Sequence, residues 1–187
     1  EVWEFDTSDV VSFYRAFSTC RKLKKFPTTL NVSSATSANY GLSQLFYNCT
    51  SFTTAPTLDF GASTATDISA QYLFGGCTNL TKVELDCSHF NSMFGTFEND
   101  FSLSDCRLTN TSNVTNFKQC FHYCSSLTEV PVKDMSAATD VESMYSGYKY
   151  TSDTAFTFVV PMHIKAIPSD LIFNSAAVKI GAMFAGC

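Results

Sequence analysis

Apolar positions along the chain fall into one recurring phrase: an aromatic, two residues, Cys, two residues, an apolar residue and, in most copies, Pro four residues further on. It reads Phe17, Cys20, Leu23, Pro27; Phe46, Cys49, Phe52, Pro56; Phe74, Cys77, Leu80; and Phe121, Cys124, Leu127, Pro131, with another copy opening at Phe184 and Cys187. Two weaker copies, Phe94 to Phe97 and Tyr145 to Tyr148, put an aromatic in the Cys place. Cys-type positions then lie 29, 28, 20, 27, 24 and 39 residues apart, the period of a stacked repeat. Ahead of the phrase, apolar residues recur three and four apart, as in Val10, Val11, Phe13, Tyr14, Phe17 and in Val141, Met144, Tyr145, Tyr148. That spacing predicts a short helix with one buried stripe. The pieces Leu23–Phe26, Phe52–Ala55, Leu80–Leu85, Leu127–Val130 and Ile164–Ile167 are too short for a helix and are mostly closed by Pro, which predicts one strand per coil.

The expected fold is α/β: a leucine-rich-repeat solenoid with one short strand and one short helix per coil of 25–29 residues, about seven coils, forming a single domain over 1–187 that is cut from a longer array. Its long last interval contains an insertion at about 151–163, because Ile164 keeps its spacing to Pro168 but not to Tyr148. Phe156, Phe158, Val159 and Val160 make this insertion apolar, either a packed hairpin or flap or a binding feature. Asp6-Thr-Ser8 and Asp134-Met-Ser136 precede two of the expected helices and are read as caps for the first helical turn.

The runs from Asp6 through Phe17 to Cys20, with Trp3 ahead of them, and from Ile167-Pro168 to Phe184-Ala-Gly-Cys187 resemble BspA-type leucine-rich-repeat surface proteins of bacteria, a family abundant in Bacteroidetes and also found in mycoplasmas and some parasitic protists. The resemblance covers nearly the whole chain and is weakest at 90–112 and in the insertion. It implies a cell-surface or extracellular location and a role in adhesion or binding of host proteins. It carries over no catalytic residue, since the family motif consists of core positions.

Composition narrows the function. Lys+Arg 12 against Asp+Glu 17 give a net charge of −5, which argues against a nucleic-acid partner. No apolar run approaches the length of a membrane span. The polar positions are rich in Ser and Thr rather than ionic. Of 8 Cys, the five in phase (Cys20, Cys49, Cys77, Cys124, Cys187) are expected to stack as a buried, reduced ladder. Cys87 and Cys106, each after an Asp, are the candidate disulfide pair, and Cys120 is unassigned. Cys120-x-His122-x-Cys124 has zinc-type ligands but lacks a fourth at a sensible spacing, so neither metal nor cofactor is expected. With only His89, His122 and His163 and no nucleophile motif, an enzyme is not expected.

Residues alternating with the buried Leu and Val would line a concave strand face: Lys24, Lys25, Thr53, Thr54, Thr81, Lys82, Glu84, Thr128, Glu129 and Lys165. This ribbon suits a protein or glycan ligand. The cluster Arg21, Lys22, Lys24, Lys25 reads as a solvated edge or as a contact for an acidic ligand. Asn48 and Asn79, inside Asn-x-Thr sequons, read as turn residues. The expected function is a non-enzymatic surface or secreted recognition module. The alternative is a structural spacer or a shell or virion component assembled by end-to-end stacking.

Overall fold

A computed structural model describes residues 6–36, 40–152, 155–158, 161–174, 176 and 178–187; Trp3 and the apolar pair Val159 and Val160 lie outside them. The segments with apolar residues three and four apart are chains of β-turns. From Phe13 to Cys20, the amides of Ala16, Ser18 and Cys20 donate to carbonyls three residues back, at 3.0, 3.0 and 3.2 Å. The intervening amides of Phe13, Arg15, Phe17 and Thr19 leave the repeat and donate to Gly41, Ser43, Leu45 and Tyr47 of the next, at 2.9, 3.2, 2.9 and 2.6 Å. The same two-way scheme joins Leu42–Asn48 to Ser69–Gly75, Ala70–Gly76 to Ser92–Glu98, Met93–Asn99 to Asn116–His122, Phe117–Tyr123 to Asp140–Ser146, and Val141–Gly147 to Lys179–Ala185.

Residues four apart are set at positive φ to make this possible: Arg15 and Thr19, Gln44 and Asn48, Tyr72 and Gly76, Gly95 and Asn99, Gln119 and Tyr123, Ala182 and Gly186. A left-handed third residue is what a type II turn requires. For a residue other than Gly it costs roughly 1–2 kcal/mol, about what one hydrogen bond to the next repeat returns at ~0.5–1.5 kcal/mol. The ladder alone therefore does not favour the turn chain. Burial does, at ~1.5–3 kcal/mol for each large apolar side chain: Leu42, Leu45, Phe46 and Cys49, then Ala70, Leu73, Phe74 and Cys77, are fully buried. A helix-like spacing thus serves a turn chain equally well, since residues i, i+3, i+4 and i+7 also share its inner face.

The strand–helix leucine-rich-repeat solenoid is accordingly overturned. Among the described residues there is no α-helix; a 3-10 turn lies at Thr111–Asn113, and the strands form small separate pairs. In chain order they are β1 (Thr29–Asn31), β2 (Thr57–Asp59), β3 (Ile68–Ser69), β4 (Lys82–Asp86), β5 (Phe90–Ser92), β6 (Asp105–Thr109), β7 (Asp134–Met135), β8 (Tyr148–Ser152), β9 (Ala155–Phe158) and β10 (Ile172–Phe173). β1 pairs with β2, β3 with β5, β4 with β6 and β7 with β10, all parallel and between different repeats. β8 and β9 form an antiparallel hairpin that overlaps the expected insertion at 151–163.

Proline decides where the strands lie. Of the expected pieces only Leu80–Leu85 overlaps a strand, β4. β4 and β6 follow Leu80 and Leu103 in the two repeats without the proline, run five residues each and pair throughout, from Lys82↔Asp105 to Asp86↔Thr109. β1 and β2 begin only after Pro27 and Pro56 and run three residues. Pro has no N–H to give a neighbour, so pairing starts beyond it. β1, β2 and β4 each end on Asn31, Asp59 or Asp86, whose side chain accepts from the amide two residues on, at 2.9, 2.8 and 3.0 Å. The expected helix caps Asp6 and Asp134 make the same turn, to Ser8 and Ser136, both at 2.9 Å, and no helix follows either.

Inside, one ring per repeat stacks on the next: Phe17, Phe46, Phe74, Phe97, Phe121, Tyr145 and Phe184, with successive centroids 5.6, 5.5, 5.8, 5.2, 5.2 and 5.3 Å apart and near-parallel planes. Phe97 therefore holds the aromatic place, not the Cys place expected for it. The Cys place in that repeat belongs to Asp100, whose amide donates to Phe97 O at 3.1 Å as that of Cys77 does to Phe74 O at 3.0 Å.

Candidate binding face on the strand side

The cysteines pack rather than react. Cys49, Cys77 and Cys124 are fully buried, and their thiols donate to the ring residue's carbonyl one repeat back (Phe17, Phe46 and Phe97) at 3.1, 3.1 and 3.0 Å. Burial pushes the Cys49 thiol up to about 11 and those of Cys77 and Cys124 further. Cys20 and Cys187 share the ladder position but are exposed. The pairing of Cys87 with Cys106 is not formed: all eight cysteines are free, Cys87 and Cys120 being buried and Cys106 half-buried. Among them Asp100 is fully buried, its carboxyl oxygens have no hydrogen-bond partner among the described residues, and that burial holds its carboxyl well above the usual range.

Cys120, His122 and Cys124 do not converge. Cys120 is buried in the core, His122 Nδ1 lies 3.4 Å from Glu98 Oε1 with its ring stacked on Tyr123, and Cys124 bonds to Phe97. Among the described residues no group of three or more His, Cys, Asp or Glu is poised around a metal. No described helix is long and apolar enough to cross a membrane.

The expected face residues fall into separate groups. Thr53, Thr54, Thr81, Lys82 and Glu84 are brought together: Thr54 bridges to Lys82, and both the amide and the hydroxyl of Thr81 donate to Thr53 O, at 3.0 and 3.1 Å. Lys82 Nζ reaches Glu84 at 3.1 Å and Asp105 at 3.4 Å, and those hydrogen bonds raise its pKa. A hollow of about 320 Å³ opens beside them between Phe26–Thr28 and Thr54–Thr57, where Pro27 and Pro56 keep the chains from pairing. Thr128 and Lys165 form a second group, joined by the bond from Lys165 N to Thr128 O at 3.1 Å; Glu129 is exposed and Thr128 half-buried, and both line an opening of their own. Lys24 and Lys25 are exposed at one end and line neither opening.

A second opening, wider than the hollow beside Thr54, was not foreseen. A polar cleft of about 690 Å³ separates β6 from the Leu127–Lys133 segment, with Arg107, Glu129 and Lys133 on its walls. Its repeat lacks the aromatic-x-x-Cys signature, so β6 and Arg107 had no expected place. Phe97, Asp100 and Leu103, each three apart, carry the phrase with Asp for Cys and would have located them.

The family model DUF285, described as a Mycoplasma protein of unknown function, matches residues 1–83 and 41–158. No curated protein and no solved structure matches the chain.

Proposed function

The chain belongs to the DUF285 family, and on that premise we propose that it is a non-enzymatic recognition module, at the cell surface or secreted, that binds a protein or glycan through its strand side. One observation carries this reading. The repeated residues are consumed in the core, whereas the positions that vary between repeats, Thr53, Thr54, Thr81, Lys82 and Glu84, converge on one exposed polar row. Such a row offers hydroxyl, carboxylate and ammonium groups without the net positive charge a polyanion needs. The test is affinity capture from host and bacterial extracts, together with a glycan array, using the native chain and the Thr54→Glu and Glu129→Lys variants. A ligand retained by the native chain and lost by a folded variant is the expected result; no ligand sensitive to either change would sink the reading.

A structural role is the second reading, and the exposed Ile167, Ile172, Phe173 and Ile180 favour it, being 41–59% accessible. It requires self-association. A monodisperse monomer across the micromolar range in sedimentation would count against it.

A further inference from the structure

β6 is an edge strand: among the described residues its sheet has two members, and its second side faces the cleft. Which backbone groups face that cleft follows from the ladder. Asp105 N donates to Thr81 O at 3.0 Å, and Thr109 O accepts from Cys87 N at 2.9 Å. The backbone of residues 105, 107 and 109 is therefore turned toward β4, and alternation turns that of Cys106 and Leu108 the other way.

The opposite wall cannot close on them as a regular strand, because Pro131 lacks an N–H there. The opening is also bounded. At one end Ser125 Oγ donates to Phe101 O at 3.4 Å, and at the other Thr111 Oγ1 donates to Asp134 O at 2.6 Å. What remains is a gap as long as one five-residue strand, entered from outside. Half-buried Cys106 and Leu108 and buried Val130 supply apolar surface within it. Of the charged groups on its walls, Asp105 is held by Lys82 and Lys133 by Asp170, Asp134 accepts from the Ser136 amide, and Arg107 and Glu129 enter no ion pair among the described residues.

We propose that an extended peptide segment of a partner protein adds to β6 in this cleft as a third strand. Its backbone pairs with the N–H and C=O groups of Cys106 and Leu108, its alternate side chains settle against Leu108 and Val130, and its outward side chains pass between Arg107 and Glu129. An array of donors and acceptors repeating every two residues, about 6.6 Å apart, matches a peptide backbone and not the hydroxyls of a sugar. This is strand addition at an exposed edge, where main-chain bonds give affinity and side-chain pockets give preference. It rests on the recognition reading above and narrows it to one partner class and one place.

The test uses the whole 187-residue chain and an immobilised library of seven-residue peptides alternating Val or Ile with Thr or Asp. The best binder is then measured by fluorescence polarisation in three forms: unmodified, N-methylated at odd amides, and N-methylated at even amides. One methylated set is expected to bind at least tenfold more weakly and the other to bind as the parent does, with the Cys106 and Leu108 amide resonances shifting on binding. Leu108→Pro, which removes an N–H directed into the cleft and none directed at β4, is expected to abolish binding. Should that variant unfold, the methylated pair and the resonances still decide. No binder at about 1 mM, equal binding of both methylated sets, or unshifted Cys106 and Leu108 amides overturns the proposal. If capture sensitive to Thr54→Glu persists while the peptides fail, strand addition falls and the recognition reading stands; if both fail, both fall.

Discussion

The turn side and the strand side of each repeat are built on opposite economies of variation. On the turn side six successive repeats do the same thing: four alternating amides cross to the next repeat and one ring stacks on its neighbour. On the strand side no two neighbouring repeats are joined alike. β4 and β6 pair over five residues, β1 and β2 over three, and β6 faces Leu127–Lys133 across an open cleft. Uniform repetition on one side leaves the other free to differ, and a surface that differs from repeat to repeat is what selective binding needs.

The contrast can be broken most forcefully on the turn side. Phe97→Ala removes a fully buried ring from between Phe74 and Phe121, and is expected to cost ~3–5 kcal/mol, read as a fall in the urea midpoint or as loss of folding. Asp100 comes next. Its folded carboxyl keeps its proton more tightly than the unfolded one, so the native state is favoured most below the usual value of 3.8, and that advantage is lost as pH rises through the raised folded value. Urea midpoints taken from pH 4 upward should therefore decline for the native chain and stay level for Asp100→Asn. Asp100→Cys, which restores the thiol of the other repeats, should gain ~1–3 kcal/mol at neutral pH. A native chain with a flat profile would show that Asp100 is not buried as described.

Gly95→Ala is expected to lose ~1–2 kcal/mol, because Gly95 has φ +59° and an added Cβ would run into the Tyr72 ring; thermal melting reads it. The smallest effect belongs to the strand side. Lys82→Ala breaks two ion pairs whose partners are mostly exposed and should change stability by no more than ~0.5 kcal/mol, while weakening any ligand bound across Thr54 and Glu84. A loss on the scale of the Phe97 change would show that the strand side is as structural as the turn side.

The difference also explains what could be read from the residues alone. Phe46, Cys49, Phe74 and Cys77 announce the ring stack and the thiol ladder because identical environments recur and select the same side chains. Their spacing did not reveal the backbone, since a helix and a chain of turns with every fourth residue left-handed bury the same positions. Gly76, Gly95 and Gly186, together with Asn48 and Asn99, all at positive φ, were the available signal for turns, diluted by Arg15, Gln44, Tyr72 and Gln119 in equivalent places. The row from Thr53 to Glu84 was legible by alternation from Val83 and Leu85. The cleft was not: it arises where a strand in a proline-free repeat meets a proline-bearing one, a property of two segments more than twenty residues apart and of neither alone.

The ring stack runs from Phe121 through Tyr145 to Phe184 at 5.2 and 5.3 Å, even though 39 residues separate the last two. The β8–β9 hairpin lies within that interval, and the stack on either side of it keeps its pitch. Doubling the length of such an excursion adds only ~0.6 kcal/mol of closure entropy. The corner after Tyr145 is therefore a port at which sequence can be gained, exchanged or trimmed without retuning the scaffold, a place where one lineage could refit its exterior while inheriting its interior intact.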